Sequence, residues 1–220
     1  MDIKILTGTP LFANMSEKEI LSALQCLNVL ERSFDRGETV LHSGTATQFC
    51  AVLLSGSVNI ESSDAWGVTS ILDNIAPGQV FAETYACLPD EPLMVNAVAT
   101  QPSRVLFLEL SRIFNSCSAS CPHHGTLLRN LITVISRKNL NLTRKVQHCA
   151  PRTTRSKLLS YLSDQSLRAG NCRFNIPFNR QQLADYLGVD RSALSAELGK
   201  MRRDGLLDFH KNSFFLKIQD

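Results

Sequence analysis

No stretch of the 220-residue chain approaches the ~20 consecutive apolar residues that a membrane-crossing helix needs. The start is a poor secretory leader, because Asp2 is acidic and the apolar run behind it is short and interrupted. A disulfide framework is not expected: the cysteines number seven, an odd count, at scattered spacings. These absences point to a cytoplasmic protein with reduced thiols. Signs of catalysis are missing as well. There is no phosphate-cradling glycine loop and no triad-like grouping. Cys121 with His123 or His124 is the nearest approach to an activated thiolate, and nothing around it supports turnover. The chain is therefore not expected to be an enzyme.

Acidic residues are also scarce in the second half. From Met1 to Pro122 there are 6 lysines and arginines against 13 acidic residues, a charge of −7. From His123 to Asp220 the count is 17 against 7, or +10. A basic half joined to an acidic half is the electrostatic footprint of a nucleic-acid-binding domain tethered to something else.

The basic half holds the most informative stretch, NRQQLADYLGVDRSALSAELGKMRRDG, from Asn179 to Gly205. Asn179 is a good N-cap, and Gln182 stands three residues on, as a capping box requires. Leu183, Ala184 and Leu187 share one helical face. Gly188 suits a tight corner. Asp190 caps a second helix with Leu194, Leu198 and Met201 as its buried stripe. Arg191, Ser192 and Ser195 lie on the other side near its start. This is the helix-turn-helix layout, although a plain packed hairpin of helices gives the same bare pattern. The residues after Gly205 favour DNA. Leu206 to Phe209 and Phe214 to Ile218 read as two short strands around the polar turn His210 to Ser213, the wing of a winged helix.

Upstream, Leu127 to His148 contains no proline, no glycine and no acidic residue. A helix of this length spans about 33 Å. Leu128, Ile135, Leu142 and Cys149 fit d positions, with Ile132, Asn139 and Val146 at a. β-branched residues at a favour a parallel two-stranded coil, and a lone central Asn fixes its register. Packing of the helix on its own domain would suit a 3.6 period equally well. Pro151 ends the helix and serves as a hinge. Thr153 to Leu167 reads as a further helix and Phe174 to Ile176 as a short strand.

The front half begins with a capping box at Ser16 to Glu19 and a helix facing inward through Ile20, Leu21, Leu24 and Leu27. Glycines at 37, 44, 56, 67 and 78 then punctuate short β-rich pieces. These are Thr39 to Leu41, Phe49 to Leu54, Val58 to Ile60, Val68 to Leu72, Met94 to Ala99 and Arg104 to Leu108. Such regular spacing suggests a β-sandwich or roll. Between the halves, Cys117, Cys121, His123 and His124 place four soft or borderline ligands close together. Such groups can bind zinc, an iron–sulfur cluster or haem. The spacing matches none of the strong zinc patterns, so small buried cysteines beside a polar loop remain the alternative.

The Asn179 to Gly205 segment resembles the C-terminal domain of the Crp/Fnr family of bacterial transcription regulators, and the resemblance runs from about Leu11 to Ile218. LHSGTATQFCAVLLSGSVNI and APGQVFAET resemble that family's cyclic-nucleotide-binding roll. The resemblance implies an α+β chain with three parts. These are an antiparallel, jelly-roll-like β-roll over residues 1–122, a long dimerisation helix over 123–150 and a winged helix-turn-helix over 151–220. It implies a homodimer joined through Leu128, Ile132, Ile135, Asn139, Leu142 and Val146, acting on double-stranded DNA with an inverted-repeat operator. RNA polymerase is a further partner if the protein activates. Base contacts carried over fall on Arg191, Ser192 and Ala196, with Ser195 as a further polar contact. Ser192 stands where Glu is common, and Ala196 where a second Arg is common. Arg180, Gln181, Lys200, Arg202 and Arg203 are left for phosphates or for a solvated face.

In nucleotide-binding members a Glu holds the ribose hydroxyl and an Arg-Ser pair holds the cyclic phosphate. Glu83 keeps the first, but Leu93 and Met94 occupy the Arg-Ser positions. A buried phosphate needs a guanidinium fork and donors in place of its water. The effector is therefore expected not to be cAMP or cGMP. A pocket near Phe81, Glu83, Thr84, Leu93 and Met94 suits an apolar or uncharged ligand, or is filled by its own side chains. Redox or metal control through Cys117 and Cys121 is the other source of regulation, and action through a protein partner the other mode of output.

Overall fold

The computed structural model describes residues 3–64, 66–67, 69–114 and 123–217. The chain divides into two compact units, 1–137 and 138–220.

The first unit opens with the short helix α1 (Ile3–Thr7) and with α2 (Glu17–Cys26). Ser16 caps α2 as its sequence requires: its Oγ accepts from the Glu19 N–H, and the Glu19 carboxylate accepts from the Ser16 N–H at 2.8 Å. Eight strands follow: β1 (Val29–Phe34), β2 (Thr39–Leu41), β3 (Phe49–Ser55), β4 (Val58–Ser63), β5 (Thr69–Ile75), β6 (Val80–Phe81), β7 (Asn96–Ala99) and β8 (Ser103–Glu109). They form two antiparallel four-stranded sheets, ordered β1-β8-β3-β6 and β2-β7-β4-β5. Helix α3 (Glu83–Cys87) interrupts the second half of the roll, and α4 (Ser111–Phe114) follows β8.

Strand β3 shows why the roll has this architecture. Side chains alternate across a strand. Cys50, Val52 and Leu54 face one core cluster, shared with Ile20, Leu24, Leu127 and Leu131 from helices. Ala51 and Leu53 face another, shared with Val58, Ile75, Ala97 and Ala99 from the second sheet. Both faces of β3 are therefore covered, which accounts for its continuous apolar run. β8 divides in the same way, with Leu106 and Leu108 on the helical side and Val105 and Phe107 on the other.

The long helix α5 runs from His123 to Cys149, 27 residues, and takes in Gly125 ahead of the glycine-free stretch from Leu127 to His148. Its first half packs on the roll through Leu127, Leu131 and Val134. Buried Asn130 fixes the register there, donating from its amide to the Leu11 carbonyl at 3.0 Å and the Ala13 carbonyl at 2.8 Å. The 3.6 period and the heptad coexist on this helix. The first accounts for the roll-facing stripe, and the second leaves Ile132, Asn139, Leu142 and Val146 exposed.

The second unit contains the end of α5, α6 (Thr154–Ala169), β9 (Arg173–Asn175), α7 (Arg180–Leu187), α8 (Arg191–Arg203), β10 (Leu207–His210) and β11 (Ser213–Leu216). The three strands form one antiparallel sheet, β10-β11-β9. Leu158, Leu162, Leu183, Leu187, Leu194, Leu198, Met201 and Phe214 make its core.

Candidate nucleic-acid interface

The corner between α7 and α8 is built from local chemistry. Asn179 accepts the Gln182 N–H at 2.9 Å, and Gln182 returns an acceptor to the Asn179 N–H at 2.9 Å. Gly188 takes the left-handed conformation (φ 60°, ψ 51°) that ends α7, where a side chain costs conformational energy. Asp190 then caps α8, its Oδ1 accepting from the Ser192 N–H at 2.8 Å, the Ala193 N–H at 2.9 Å and the Ser192 hydroxyl at 2.5 Å. The Ser192 hydroxyl, with help from these backbone donors, holds the Asp190 carboxyl below its usual range. Burial of Leu194, Leu198 and Met201 turns the opposite face of α8 outward. That face carries Arg191, Ser192, Ser195 and Ala196, all exposed.

The wing completes the surface. β10 and β11 pair from Leu207 with Leu216 to His210 with Ser213, leaving Lys211 and Asn212 as the turn. Lys211 has a φ of 51°. The Ile176 N–H donates to the Asn212 carbonyl at 2.9 Å, tying the wing tip to the segment that leads into α7. An open concavity of about 500 Å³ results, lined by Asn179, Arg180, Gln181, Arg191, Lys211 and Asn212. It gathers three cations and three amides, a chemistry suited to anionic oxygen.

Arg180 is the most constrained of these cations. Its guanidinium lies 4.8 Å from the Phe209 ring centre and 5.2 Å from that of Phe214. One terminal nitrogen is buried with no hydrogen-bond partner among the described residues. Burial draws its pKa down from the ordinary value, yet a guanidinium remains charged in proteins. Gln181 donates to Asp185 at 2.8 Å. Lys200 pairs loosely with Glu197 at 3.8 Å, and Arg203 is exposed. Arg202 has a different position: it pairs with Asp208 at 2.7 Å and lies 5.4 Å from the Phe209 ring centre, so it braces the wing. Sequence pattern alone does not assign Lys211, Asn212 and Asn179 to this surface. The polar wing turn is legible there, but the Ile176–Asn212 bond that brings it beside α7 is a tertiary contact.

The roll residues fall into two environments. Phe81, Glu83 and Leu93 are buried, whereas Thr84 and Met94 are exposed, Met94 at 76%. Leu93 is pinned through its backbone to Gly44 and Thr45. Arg104, the nearest arginine in sequence, lies on β8 and forms an ion pair with Glu31 on β1. The residues at the aligned Arg-Ser positions therefore do not fit a cyclic phosphate. A separate cavity of about 170 Å³ is lined by Leu30, Arg32, Val40, Leu41, Thr47, Phe49 and Phe107, none of them from the expected pocket.

Cys117 and Cys121 lie outside the described residues. His123 Nδ1 stands 3.6 Å from a Glu19 carboxylate oxygen, and His124 Nε2 is buried without a hydrogen-bond partner among the described residues. Among the described residues no three His, Cys, Asp or Glu side chains are placed to hold a metal ion. No helix of the described residues is long and apolar enough to cross a membrane.

A double-sheeted roll, a long helix and a winged helix-turn-helix with a basic concavity define a DNA-binding regulator with a separate N-terminal domain. Comparison with known proteins agrees. Residues 31–120 match the cyclic nucleotide-binding domain and residues 156–220 the Crp-like helix-turn-helix domain. The transcriptional activator protein FnrL of Cereibacter sphaeroides is 23% identical over 186 residues, covering 80% of this chain and 71% of FnrL. The catabolite activator protein of Thermus thermophilus shares the fold at a TM-score of 0.51 and 21% identity, covering 95% of this chain and 94% of its own. The c-di-GMP-responsive global regulator CLP of Xanthomonas campestris does so at 0.55 and 19%, covering 93% and 100%. The chain belongs to the Crp/Fnr family, whose members are DNA-binding transcription regulators rather than enzymes.

Proposed function

We propose that this regulator acts as a cytoplasmic homodimer on an inverted-repeat DNA operator, under control of an effector taken up by its N-terminal domain. The carrying observation is the convergence of Arg180, Arg191 and Lys211 on one concavity beside the start of α8. In this reading α8 enters the major groove, and Arg191 makes the bidentate contact to guanine O6 and N7. Ser192, Ser195 and Ala196 follow along the groove. Arg180, Gln181, Lys200, Arg203 and Lys211 meet phosphates, whereas Arg202 acts through the wing.

The dimer reading draws on exposed apolar side chains of α5: Ile132 is 55% exposed, Leu142 65% and Val146 66%. Exposed Asn139 lies on the same stripe, whereas Leu128 and Ile135, the other expected seam positions, are half-buried against the roll core; a two-fold dimer presents two recognition helices about one helical turn apart. The effector is an apolar or uncharged molecule, since Leu93 and Met94 supply no phosphate ligand. RNA polymerase becomes a partner if the regulator activates.

Fluorescence anisotropy on labelled duplexes across a salt series tests this. Binding should weaken steeply with salt and be tightest on inverted repeats, with two protomers per duplex. Absence of salt-dependent binding to any duplex would favour a regulator that acts through a protein partner.

A further inference from the structure

The outward face of α8 carries few groups able to read a base edge. After Arg191 come Ser192, Ala193, Ser195 and Ala196; the next long side chain, the half-buried Glu197, pairs with Arg155 and Lys200. The methyl side chain of Ala196 supplies neither donor nor acceptor. Discrimination near the helix start rests on Arg191, on Ser195 one turn on, and on the groups that Ser192 presents.

The state of Ser192 is set by Asp190. Its hydroxyl donates to Asp190 Oδ1 at 2.5 Å, and its own N–H meets the same oxygen at 2.8 Å. A hydroxyl carries one proton and two lone pairs. Here the proton is committed to a carboxylate, the stronger class of hydrogen bond. Ser192 Oγ is left with acceptor capacity only, and a negative charge stands behind it.

Resting on the DNA-binding reading above, we propose that Ser192 is a specificity-determining residue that reads the major groove purely as an acceptor. It selects cytosine or adenine on the strand it contacts, while Arg191 specifies a guanine in each half-site. Cytosine N4 and adenine N6 offer donors in the major groove, whereas guanine and thymine present only acceptors there. Guanine or thymine opposite Ser192 sets lone pair against lone pair, with the Asp190 charge adding to the repulsion. A serine thus does at this position what a carboxylate side chain would do, with the carboxylate moved two residues back to the helix cap.

The test is selection of random-core duplexes by the full-length protein, followed by sequencing of the bound pool. Wild type should specify a guanine for Arg191 in each half-site and, on the strand facing Ser192 relative to that guanine, enrich cytosine or adenine about five-fold or more. Ser192→Ala should lose that enrichment, and Ser192→Thr, which keeps the hydroxyl, should retain it. Ser192→Lys, a pure donor, should shift the preference to guanine or thymine. Wild-type enrichment of guanine or thymine on the strand facing Ser192, or an unchanged pattern in Ser192→Ala, would overturn the proposal. Retention of no duplex at any salt concentration would instead overturn the DNA-binding reading, and the proposal with it.

Discussion

His148 Nδ1 lies 2.9 Å from the Tyr186 hydroxyl, joining the last turn of α5 to α7. The histidine is buried, and its Nε2 stands 3.6 Å from an Asp164 carboxylate oxygen on α6. Its ring meets Tyr161 edge-on at 5.3 Å, and Tyr161, Phe178 and Tyr186 pack against one another. Cys149 adds a bond from its thiol to the Tyr186 carbonyl at 3.3 Å. The turn that precedes Pro151 is thereby fastened to the helix-turn-helix by a polar contact inside an aromatic cluster.

This arrangement makes stability depend on pH. Burial pushes the His148 pKa below its ordinary 6.5; Asp164 opposes the shift, and Arg144 and Arg168 reinforce it. The unfolded chain therefore binds a proton near pH 6.5 that the folded chain does not yet bind. Stability from this group is present above that value and is lost as pH falls through the depressed one. The expected result is a melting temperature that drops more between pH 7.5 and about pH 5.5 in wild type than in His148→Gln. His148→Gln should be less stable at the upper end, because Tyr186 loses its partner. Parallel pH slopes for the two proteins would refute the role.

Two glycines in the left-handed region should respond differently to alanine. Gly188 has φ +60°, and a Cβ added there would meet nothing within 4 Å among the described residues beyond its own chain neighbours. Gly188→Ala should cost about 1 kcal/mol, the conformational penalty alone. At Gly56, φ +94°, a Cβ would stand 2.2 Å from Ser103 Oγ and 2.6 Å from the Pro102 carbonyl oxygen. Ser103 is buried and accepts the Ser57 N–H at 3.1 Å, so it cannot yield cheaply. Gly56→Ala should cost about 3 kcal/mol or more, overpacking being added to the backbone penalty. Urea unfolding of the full chain measures both, and equal costs would contradict the packing argument.

The features legible in the sequence are those carried by local chemistry. Ser16 with Glu19 and Asn179 with Gln182 announce their helices because a capping box closes within four residues. Thr39 to Leu41 is a strand in sequence and structure alike, and Phe49 to Leu54 differs from β3 by one residue. Strand β1, Val29–Phe34, is not legible, because four of its six residues are exposed and its pattern does not alternate. The two-residue β6 and the short α1, α3 and α4 are set by their neighbours rather than by propensity. Within the candidate interface, the α8 residues follow from helical periodicity. The stacking of Arg180 on Phe209 and Phe214 does not, since it joins positions about thirty residues apart through the register of the wing.

That stacking gives Arg180 two separable roles. Arg180→Ala removes a cation from the concavity and a packing element from the wing. DNA affinity should fall by a similar factor on all sequences, and the magnitude of the salt slope should drop by about 1. Stability should fall by about 1 kcal/mol, the scale of cation–π contacts at partly exposed sites. Arg180→Met should reproduce the change in salt slope with a smaller loss of stability, because its thioether still packs on the rings. A sequence-selective loss of binding in Arg180→Ala would show that it reads a base instead.

The seam of α5 separates assembly from folding. Leu131 is 1% exposed in the roll core, whereas Leu142, eleven positions later on the same helix, is 65% exposed. A charge at Leu131 should unfold its unit, because an unpaired buried carboxylate has no compensation. A charge at Leu142 meets water in the single chain and is buried only if a second copy covers the seam. Sedimentation of Leu142→Glu should therefore give a folded monomer where wild type gives a dimer. Asn139→Ile tests the same seam with the opposite sign. Removing the one polar a position should keep the helices assembled and broaden their stoichiometry beyond two, because register and number lose their polar determinant. A strictly monomeric wild type at micromolar concentration would remove the dimer, and with it the inverted-repeat operator.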